Sequence, residues 1–381
     1  MEIITNNEMS ECKKIKNRVS RARFILDIIE ERIKSLNQKE PQPDVIIIPI
    51  SKEIIKMCKK HDTMGDKIIL ADRRFSINLT NEQIEGDYDF HNIIKIMGMK
   101  YFLPTQIILP NTLNLMRQIG VQDLAQRAWN LIVAMYYKAK GIPWKLTELD
   151  NQTCYAGISF YREIDETGKS SIGTSVAQIF LHTGESIVLR GDPFDWPLSK
   201  KQPYLDEEQS SKLLEKIIKR FKITHKIIPV RLVIHKSSTF EKDELNGFLS
   251  NKNIDKIDLI TIRNSSIEWF REGTYAVPRG ICIKTPLPDY FIFTLGYIPQ
   301  LKTYPRPGIP IPINVIPYSL DSIDRLMCKE ILSLTKLNWN NADFCDHKPI
   351  TITASDILGD ILSEKRAKKL PLILPHYRYY I

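Results

Sequence analysis

The sequence contains few cysteines, and their spacing excludes two classes of site. The 381 residues include six cysteines, and no two of them form a C-x-x-C pair. That pattern argues against a zinc knuckle and a disulfide framework, and it favours a reducing compartment such as the cytoplasm. No G-x-G-x-x-G fingerprint follows any predicted strand, which argues against a dinucleotide-binding fold of that kind.

Long apolar runs are missing as well. The run DVIIIPI at residues 44–50 is far too short to cross a bilayer. The opening MEIITNNEMSECKK has no apolar signal-peptide core. We therefore expect a cytoplasmic protein that does not insert into a membrane.

What the chain does have is a globular composition with an excess of positive charge. Apolar residues make up 43% and charged residues 26% of the chain, which is typical of packed domains. A length of 381 residues is enough for two such domains. The formal net charge of +9 favours a polyanionic partner, nucleic acid ahead of a membrane surface.

The first 150 residues alternate helices with short apolar strands, which predicts a small Rossmann-like α/β domain. One amphipathic helix is predicted over residues 8–37, and PQP at 41–43 ends it as a linker. Strands are predicted at 44–50, at 68–71 and from Gln106, helices at 51–60, before Pro104 and at 121–140, and a polar loop at 72–88. The residues of the last helix expected to face inward are Leu124, Ala128, Leu131, Ile132 and Met135.

A second domain is predicted from about residue 151, and its order is that of a ribonuclease-H-like fold. Three strands come first, at 154–161, 173–182 and 186–190, the last two joined by a tight turn at 183–185. They are followed by a helix at 205–221, a central parallel strand at 230–235, a helix at 240–249, a strand at 257–262 and a hairpin at 280–295. The proline-rich stretch 304–316 is predicted to be an edge or a covered loop. Helices at 321–332 and 354–365 follow.

The stretch DFHNIIKIMGMKYFLPTQIILPN at 89–111 carries a candidate anion site. Its apolar residues recur at helical spacing and form one face, whereas His91 and Lys95, four residues apart, lie one above the other on the other face. Gln106 follows in a buried strand. A His, a Lys and a Gln that converge in this way would form a small cationic cup suited to a phosphate. The alternative is a surface helix with ordinary polar residues.

These residues resemble the guide-anchoring MID domain of Argonaute proteins. In that family a Tyr or His, a Lys one turn later and a Gln further along hold the 5′ phosphate of a guide strand, and the resemblance carries His91, Lys95 and Gln106. Lys138 in YYKAKGIPW matches the family's K-x-G-G-I-P-W segment and joins the implied phosphate site. Lys140 stands where the family has its first Gly.

The resemblance continues to the apolar, aromatic end of the chain. Residues 372–374 are predicted to be a strand or a buried stretch, and the following tyrosines can pack while keeping a hydroxyl partner. In Argonautes the final carboxylate helps to hold a divalent cation against the guide phosphates, beside the matched Gln. The resemblance therefore implies Mg²⁺ at the guide 5′ end, bound by Gln106 and the carboxylate of Ile381. A tail docked only for stability is the alternative.

Catalytic Piwi domains cut by a two-metal mechanism, which requires a metal-binding acid or His at each position. Their first strand carries an Asp where this chain has Ser159, and their parallel strand ends in an H-R-D-like segment where this chain has HKS, with Ser237 last. The third match falls at 338–341 and holds no acid. Asp343 lies downstream, but a shifted register cannot restore two lost acids. The implied site has the shape of a nuclease without its chemistry, so the chain is not expected to be an enzyme.

The resemblance as a whole implies a short prokaryotic Argonaute. In this interpretation residues 1–40 are an N-terminal helix and linker, 41–150 a Rossmann-like MID domain, and 151–381 an inactive, ribonuclease-H-like PIWI domain. It implies binding of a short 5′-phosphorylated guide and a complementary target without cutting, with RNA favoured as guide and DNA as target.

The resemblance also implies a partner protein and a cellular role. The partner carries an APAZ-type domain and an effector, which is a Sir2 or TIR domain, a nuclease or a membrane-associated protein. The role is prokaryotic defence, often by abortive infection. Two alternatives stay open: an active guide-dependent endonuclease, and a non-guided structural subunit with a dead ribonuclease-H fold.

Overall fold

The computed structural model divides the chain into two units. Unit 1 comprises Met1–Gly141, Ile361–Leu374 and Arg378–Ile381, and unit 2 comprises Ile142–Asp360 and Pro375–Tyr377. The structure describes residues 4–58, 90–109, 112, 123–147, 149–150, 152–164, 170–180, 186–196, 202–250, 254–269, 271–304, 308–320, 324–339, 345–364, 374 and 376–381. The predicted strand 68–71, loop 72–88 and turn 183–185 lie outside these ranges.

Unit 1 begins with two helices, α1 (Asn6–Lys14) and α2 (Arg18–Asn37). The prediction of one helix over 8–37 is wrong, because Asn17 starts a second helix: its side chain accepts a hydrogen bond from the main-chain N–H of Ser20. The predicted amphipathic packing is confirmed. The buried face of α2 consists of Ala22, Ile25, Leu26, Ile28, Ile29 and Ile33.

The rest of unit 1 is a small α/β layer. Its elements are β1 (Ile46–Pro49), α3 (Lys52–Cys58), α4 (Phe90–Lys100), β2 (Thr105–Ile108) and α5 (Leu124–Lys138). The strands β1 and β2 pair in parallel, with Ile46 opposite Thr105. Apolar side chains of α1, α2, β1, α3 and α4 share one core. The predicted Rossmann-like layering is therefore confirmed for the part of unit 1 that the structure describes.

The buried face of α5 differs from the predicted one. Among the residues expected to face inward, Leu124, Ala128 and Ile132 are exposed, and Leu131 and Met135 are half-buried. The residues that are buried are Arg127, Val133, Ala134, Tyr137 and Lys138. The prediction followed apolar periodicity, but the helix is turned so that two cationic side chains lie inward.

Unit 2 is built on one eight-stranded sheet. Its strands are β3 (Thr153–Ile164), β4 (Ser170–Phe180), β5 (Val188–Arg190), β6 (Arg231–Lys236), β7 (Lys256–Asn264), β8 (Cys282–Lys284), β9 (Tyr290–Ile292) and β10 (Ile313–Ser319). Its helices are α6 (Glu207–His225), α7 (Lys242–Leu249), α8 (Asp324–Leu334) and all but the last two residues of α9 (Ile350–Leu362). Single 3₁₀ turns occur at Pro299–Leu301, in unit 2, and at Tyr377–Tyr379, of which only Tyr377 belongs to unit 2. The spatial order of the strands is β5-β4-β3-β6-β7-β10-β9-β8.

The pairing of these strands confirms the ribonuclease-H-like prediction. The strands β3, β4 and β5 form an antiparallel meander, and β6 lies centrally, parallel to both β3 and β7. Apolar side chains of α6 and α7 pack on β3, β6 and β7. No helix within the described ranges is long and apolar enough to cross a membrane.

The end of the proline-rich stretch, from residue 313, does not form an edge. β10 is an inner strand, hydrogen-bonded on one side to β7 and on the other to β9. Pro310 and Pro312 precede the strand, so their missing N–H groups remove no ladder bond. Pro317 lies where the pairing with β7 shifts register. The prediction for 304–316 is therefore wrong for its last residues.

Candidate functional site

Buried polar side chains come together in unit 1, where α4, β2 and the end of α5 meet. Lys95 is 2% exposed, and its Nζ donates to the main-chain oxygens of Thr105, at 2.8 Å, and of Ile381. Lys138 is also 2% exposed, and its Nζ donates to the same oxygen of Thr105, at 3.0 Å, and to Oε1 of Gln106. We call Lys95, Gln106 and Lys138 the lysine cluster.

A glycine brings α4 close to β2. A Cβ at Gly98 would lie 2.5 Å from the main-chain oxygen of Leu103 and 2.9 Å from Cγ2 of Thr105. Any other residue would therefore push the helix away from the strand and move Lys95 away from its acceptor. This glycine, in the last turns of the helix, is the sequence signal of the close approach.

The two ammonium groups of the lysine cluster are held where charge is costly. Burial lowers the pKa of Lys95 well below its usual value, and the charge of Lys138 lowers it further. Burial also lowers the pKa of Lys138 to about 8. Within the described part of the chain, neither lysine forms an ion pair with an Asp or Glu side chain. A dianion bound here would offset both charges and raise both pKa values.

His91 is not part of this buried cluster. It lies in the first turn of α4, is exposed, and places its Nδ1 3.4 Å from the side-chain oxygen of Asn92. The prediction that His91 and Lys95 share a polar face is wrong, since residues 93–99 of α4 are all buried. The structure thus brings together Lys95, Gln106 and Lys138, while His91 stands at the start of the same helix.

The end of the chain is buried, as predicted for a tail that is not frayed. Tyr380 is 0% and Ile381 5% exposed. The hydroxyl of Tyr380 donates to the main-chain oxygen of Leu374 at 2.8 Å, which gives it the expected polar partner. Leu374 is buried, whereas residues 372 and 373 lie outside the described ranges. The oxygen of Ile381 therefore contacts the lysine cluster, because it accepts the hydrogen bond from Lys95.

The donor atoms expected to bind Mg²⁺ are of the right type. An amide oxygen and main-chain or carboxylate oxygens are the hard ligands that Mg²⁺ takes. Here Oε1 of Gln106 and the oxygen of Ile381 accept hydrogen bonds from the two lysines. A divalent cation beside two ammonium groups requires further negative charge, which phosphate oxygens would supply. The residues therefore fit the ion only together with a phosphate.

In unit 2 the matched nuclease positions lie side by side. Parallel pairing of β3 and β6 ends with Ile158 opposite Lys236, so Ser159 is the next residue of β3 and Ser237 is the first residue after β6. Ser159 is buried, and its hydroxyl donates to the main-chain oxygen of Ser355 at 3.1 Å. The structure thus juxtaposes the two positions that the resemblance matched.

The charged groups beside these serines are already satisfied or neutral. Burial, with a smaller effect from the Arg231 charge, lowers the pKa of His235 to about 3, and its Nδ1 lies 2.7 Å from Oγ1 of Thr351. Nζ of Lys236 lies 2.6 and 2.5 Å from the two carboxylate oxygens of Glu244. No three His, Cys, Asp or Glu side chains come together as a metal site in the described ranges. Asp343 lies outside them.

Comparison with known proteins identifies the fold. No protein-family model matches the sequence, and no curated protein does. Clostridium butyricum Argonaute, solved with a guide DNA and a 19-mer target DNA, superposes with a TM-score of 0.63 at 16% identity, over 93% of this chain and 42% of that one. Aa-Ago, solved with externally bound siRNA, gives 0.55 at 17% identity, over 93% and 44%. The chain has an Argonaute-like MID and PIWI fold and spans less than half the length of either structure.

Proposed function

We propose that this chain is the guide-binding recognition subunit of a prokaryotic defence system, of the short Argonaute type. It binds a short 5′-phosphorylated guide, pairs it with a complementary target and does not cut. The observation that carries this proposal is the lysine cluster, in which Lys95 and Lys138 donate to one main-chain oxygen. A guide 5′ phosphate is the ligand proposed to offset their charges.

A terminal phosphate suits the cluster better than an ordinary backbone phosphate. A terminal phosphomonoester carries close to two negative charges at neutral pH, which matches two ammonium groups. Charge-assisted hydrogen bonds to such a group are roughly twice as strong as neutral ones. Gln106 adds an amide beside the lysines. Mg²⁺, proposed to be held by Gln106 and the terminal carboxylate of Ile381, would neutralise further guide phosphates.

Sequence specificity then comes from base pairing, and the protein contacts the backbone. Of the two solved structures with this fold, one contains a guide DNA and a target DNA and the other an externally bound siRNA. For this chain we propose an RNA guide and a DNA target. The formal net charge of +9 supports a polyanionic partner in either case.

After pairing, the chain is proposed to leave the target uncut and to signal to a partner protein. The absence of cutting is supported by Ser159 and Ser237, since neutral hydroxyls at these positions cannot offset the charge of two divalent ions. Signalling would pass to an APAZ-containing effector protein in the cytoplasm. That partner is proposed from the resemblance to short Argonautes, and sequencing the neighbouring gene is the most direct check.

The binding experiment compares guides that differ only at the 5′ end. Equilibrium binding of the full chain to 5′-phosphorylated and 5′-hydroxyl RNA and DNA of one sequence is measured by fluorescence anisotropy. We expect tighter binding of the phosphorylated form, and nucleic acid co-purified from cells should carry a 5′ phosphate. Equal affinity for both ends would overturn the proposed guide site, and RNA and DNA arms decide the guide type.

A further inference from the structure

Two cysteines far apart in sequence lie next to each other in unit 2. Sγ of Cys282, in β8, lies 2.8 Å from Sγ of Cys328, in α8. Cys282 is exposed and Cys328 is buried, and both are free thiols. The two residues are 46 positions apart in the sequence, a spacing that forms no motif. The fold brings these two into contact across the junction between an edge strand and a helix.

The pair opens into a cationic cavity. The cavity has a volume of about 510 Å³, and both cysteines line it. Its lining includes five cationic side chains and one carboxylate: Arg279, Lys284, Arg325, Lys329, Lys336 and Asp324. The carboxylate of Asp324 lies 2.7 Å from Nζ of Lys284. The remaining positive charge would attract a small anionic molecule to the thiols.

We propose that Cys282 and Cys328 form a redox-active pair that a small anionic disulfide converts into an intramolecular disulfide. The thiolate of Cys282 attacks one sulfur of the disulfide, giving a mixed disulfide and releasing one thiolate. Cys328 then loses its proton and attacks Sγ of Cys282, which releases the second thiolate. The protein loses two electrons and two protons, and the small disulfide is reduced to two thiols.

The environments of the two sulfurs suit this order of attack. The hydrogen bond with Cys328 lowers the pKa of Cys282, which favours its thiolate. The same hydrogen bond and burial raise the pKa of Cys328, and the buried position of its sulfur suits it to the resolving role. Cys282 is also the thiol that faces solvent. The product would tie the edge strand β8 to α8 and so stiffen this side of the sheet.

The test uses the full chain, reduced and then exposed to glutathione disulfide, which is anionic, or to hydroxyethyl disulfide, which is neutral. Free thiols are trapped by alkylation, and peptides are mapped by mass spectrometry. We expect one linked peptide pair containing Cys282 and Cys328, with the other four cysteines alkylated. Denatured chain should give mixed pairings. Folded chain that gives no such pair, or gives several pairs equally, would overturn the proposal.

Single variants separate the two thiols, and charge reversal tests the cavity. Cys328→Ser should accumulate a mixed disulfide on Cys282, whereas Cys282→Ser should leave Cys328 unmodified, and Cys345→Ser should still form the link. Reversing Arg325 and Lys329 to Glu should slow the reaction with glutathione disulfide on the order of tenfold, and the reaction with the neutral probe much less. If charge reversal slows the reactions with both probes equally, the proposal of an anionic substrate is refuted. If Cys282 stays unmodified in Cys328→Ser, the proposed order of attack is refuted.

Discussion

Lys95 and Lys138 donate hydrogen bonds to the same main-chain oxygen, that of Thr105, at 2.8 and 3.0 Å. They come from two different helices and are both buried. Burying two ammonium groups beside each other costs stability in the free protein, even though Lys95 also contacts the terminal oxygen of Ile381 and Lys138 the amide oxygen of Gln106. Such an arrangement favours binding of a dianion, because the negative charges of the ligand would compensate the two positive charges. The first three predictions follow from this pair.

Replacing either lysine with Ala should weaken binding of a phosphorylated guide. Each change removes a charge-assisted contact of roughly 1.5–3 kcal/mol, so Lys95→Ala and Lys138→Ala should each raise the dissociation constant by about tenfold or more. The measurement is equilibrium binding of 5′-phosphorylated and 5′-hydroxyl guides. The hydroxyl guide should lose much less affinity than the phosphorylated one.

Lys100→Ala is the matched control for this prediction. Lys100 ends the same helix but is exposed, and its Nζ lies 2.6 Å from Oε1 of Glu30. Its removal should affect both guides slightly and equally. If Lys95→Ala and Lys138→Ala weaken both guides to the same extent, the two lysines contact the backbone generally and do not read the 5′ end.

Lys138→Met should stabilise the ligand-free chain while it impairs guide loading. The buried ammonium of Lys138 costs free energy, since its pKa falls from 10.5 to about 8. The oxygen of Thr105 keeps its bond to Lys95. We expect the free energy of unfolding at neutral pH to rise on the order of 1 kcal/mol, measured by urea denaturation. A variant that is both less stable and unable to bind would instead indicate a structural role for Lys138.

Guide affinity and stability should change in opposite directions as the pH rises above 8. Lys138 loses its proton near pH 8 in the free protein, so it then offers no charge to the phosphate and affinity falls. Between about pH 8 and 10.5 the unfolded chain binds more protons than the folded chain, so the free energy of unfolding rises with pH. Binding of a 5′-hydroxyl guide should change little over this range. A phosphate-specific affinity that is constant from pH 7 to 10 would contradict the assignment.

The periodicity of apolar residues and the positions of residues that end helices and strands predicted much of the fold. The central parallel strand, the meander before it and the order of helices follow from local pattern. The break between α1 and α2 is local: Ile15 and Asn17 have extended backbone, and the side chain of Asn17 accepts a hydrogen bond from the main-chain N–H of Ser20. The apolar spacing over residues 8–37 predicts a single helix and gives no sign of it. The proline content of residues 304–316 taken together predicts an edge or a loop, but Pro310 and Pro312 precede β10 and leave its ladder bonds intact.

The sequence predicted which residues form the candidate site, but not their burial or their hydrogen-bond partners. A helical period places Lys95 on the same side as His91, yet Lys95 is buried and His91 is exposed. Its burial depends on an acceptor 286 residues away, the oxygen of Ile381. No local window contains that contact. The rotation of α5 about its axis, which brings Lys138 inward, is likewise set by tertiary contacts. It differs from the orientation that the apolar pattern of the helix predicts.

The purified chain should not cut a target under Mg²⁺ or Mn²⁺. Ser159 and Ser237 lie side by side where a metal-dependent nuclease needs acids, and hydroxyls cannot offset two divalent ions. The measurement is a denaturing gel of labelled guide and target after long incubation, with a cutting Argonaute as the positive control. Product that requires both guide and metal ion, and that Lys138→Ala abolishes, would show that the chain is a nuclease.

Deleting Tyr380 and Ile381, or adding a C-terminal tag, should impair guide loading, whereas an N-terminal tag should not. The oxygen of Ile381 accepts a hydrogen bond from Lys95, so the last residue fixes the position of that ammonium group. The same residue is proposed to bind Mg²⁺ together with Gln106 and the guide phosphates. The truncated chain should therefore lose affinity for a phosphorylated guide and also lose any increase in affinity on adding Mg²⁺.

Tyr380→Phe separates this role from packing. The ring stays in its buried position, and the hydrogen bond to Leu374 is lost, at a cost of about 1 kcal/mol in the free energy of unfolding. Because Ile381 and its oxygen remain, this variant should load guide with nearly normal affinity and the same Mg²⁺ response as the unmodified chain. If instead the tagged or truncated chain binds phosphorylated guide with unchanged affinity and unchanged Mg²⁺ response, the tail serves stability alone and Ile381 has no place in the guide site.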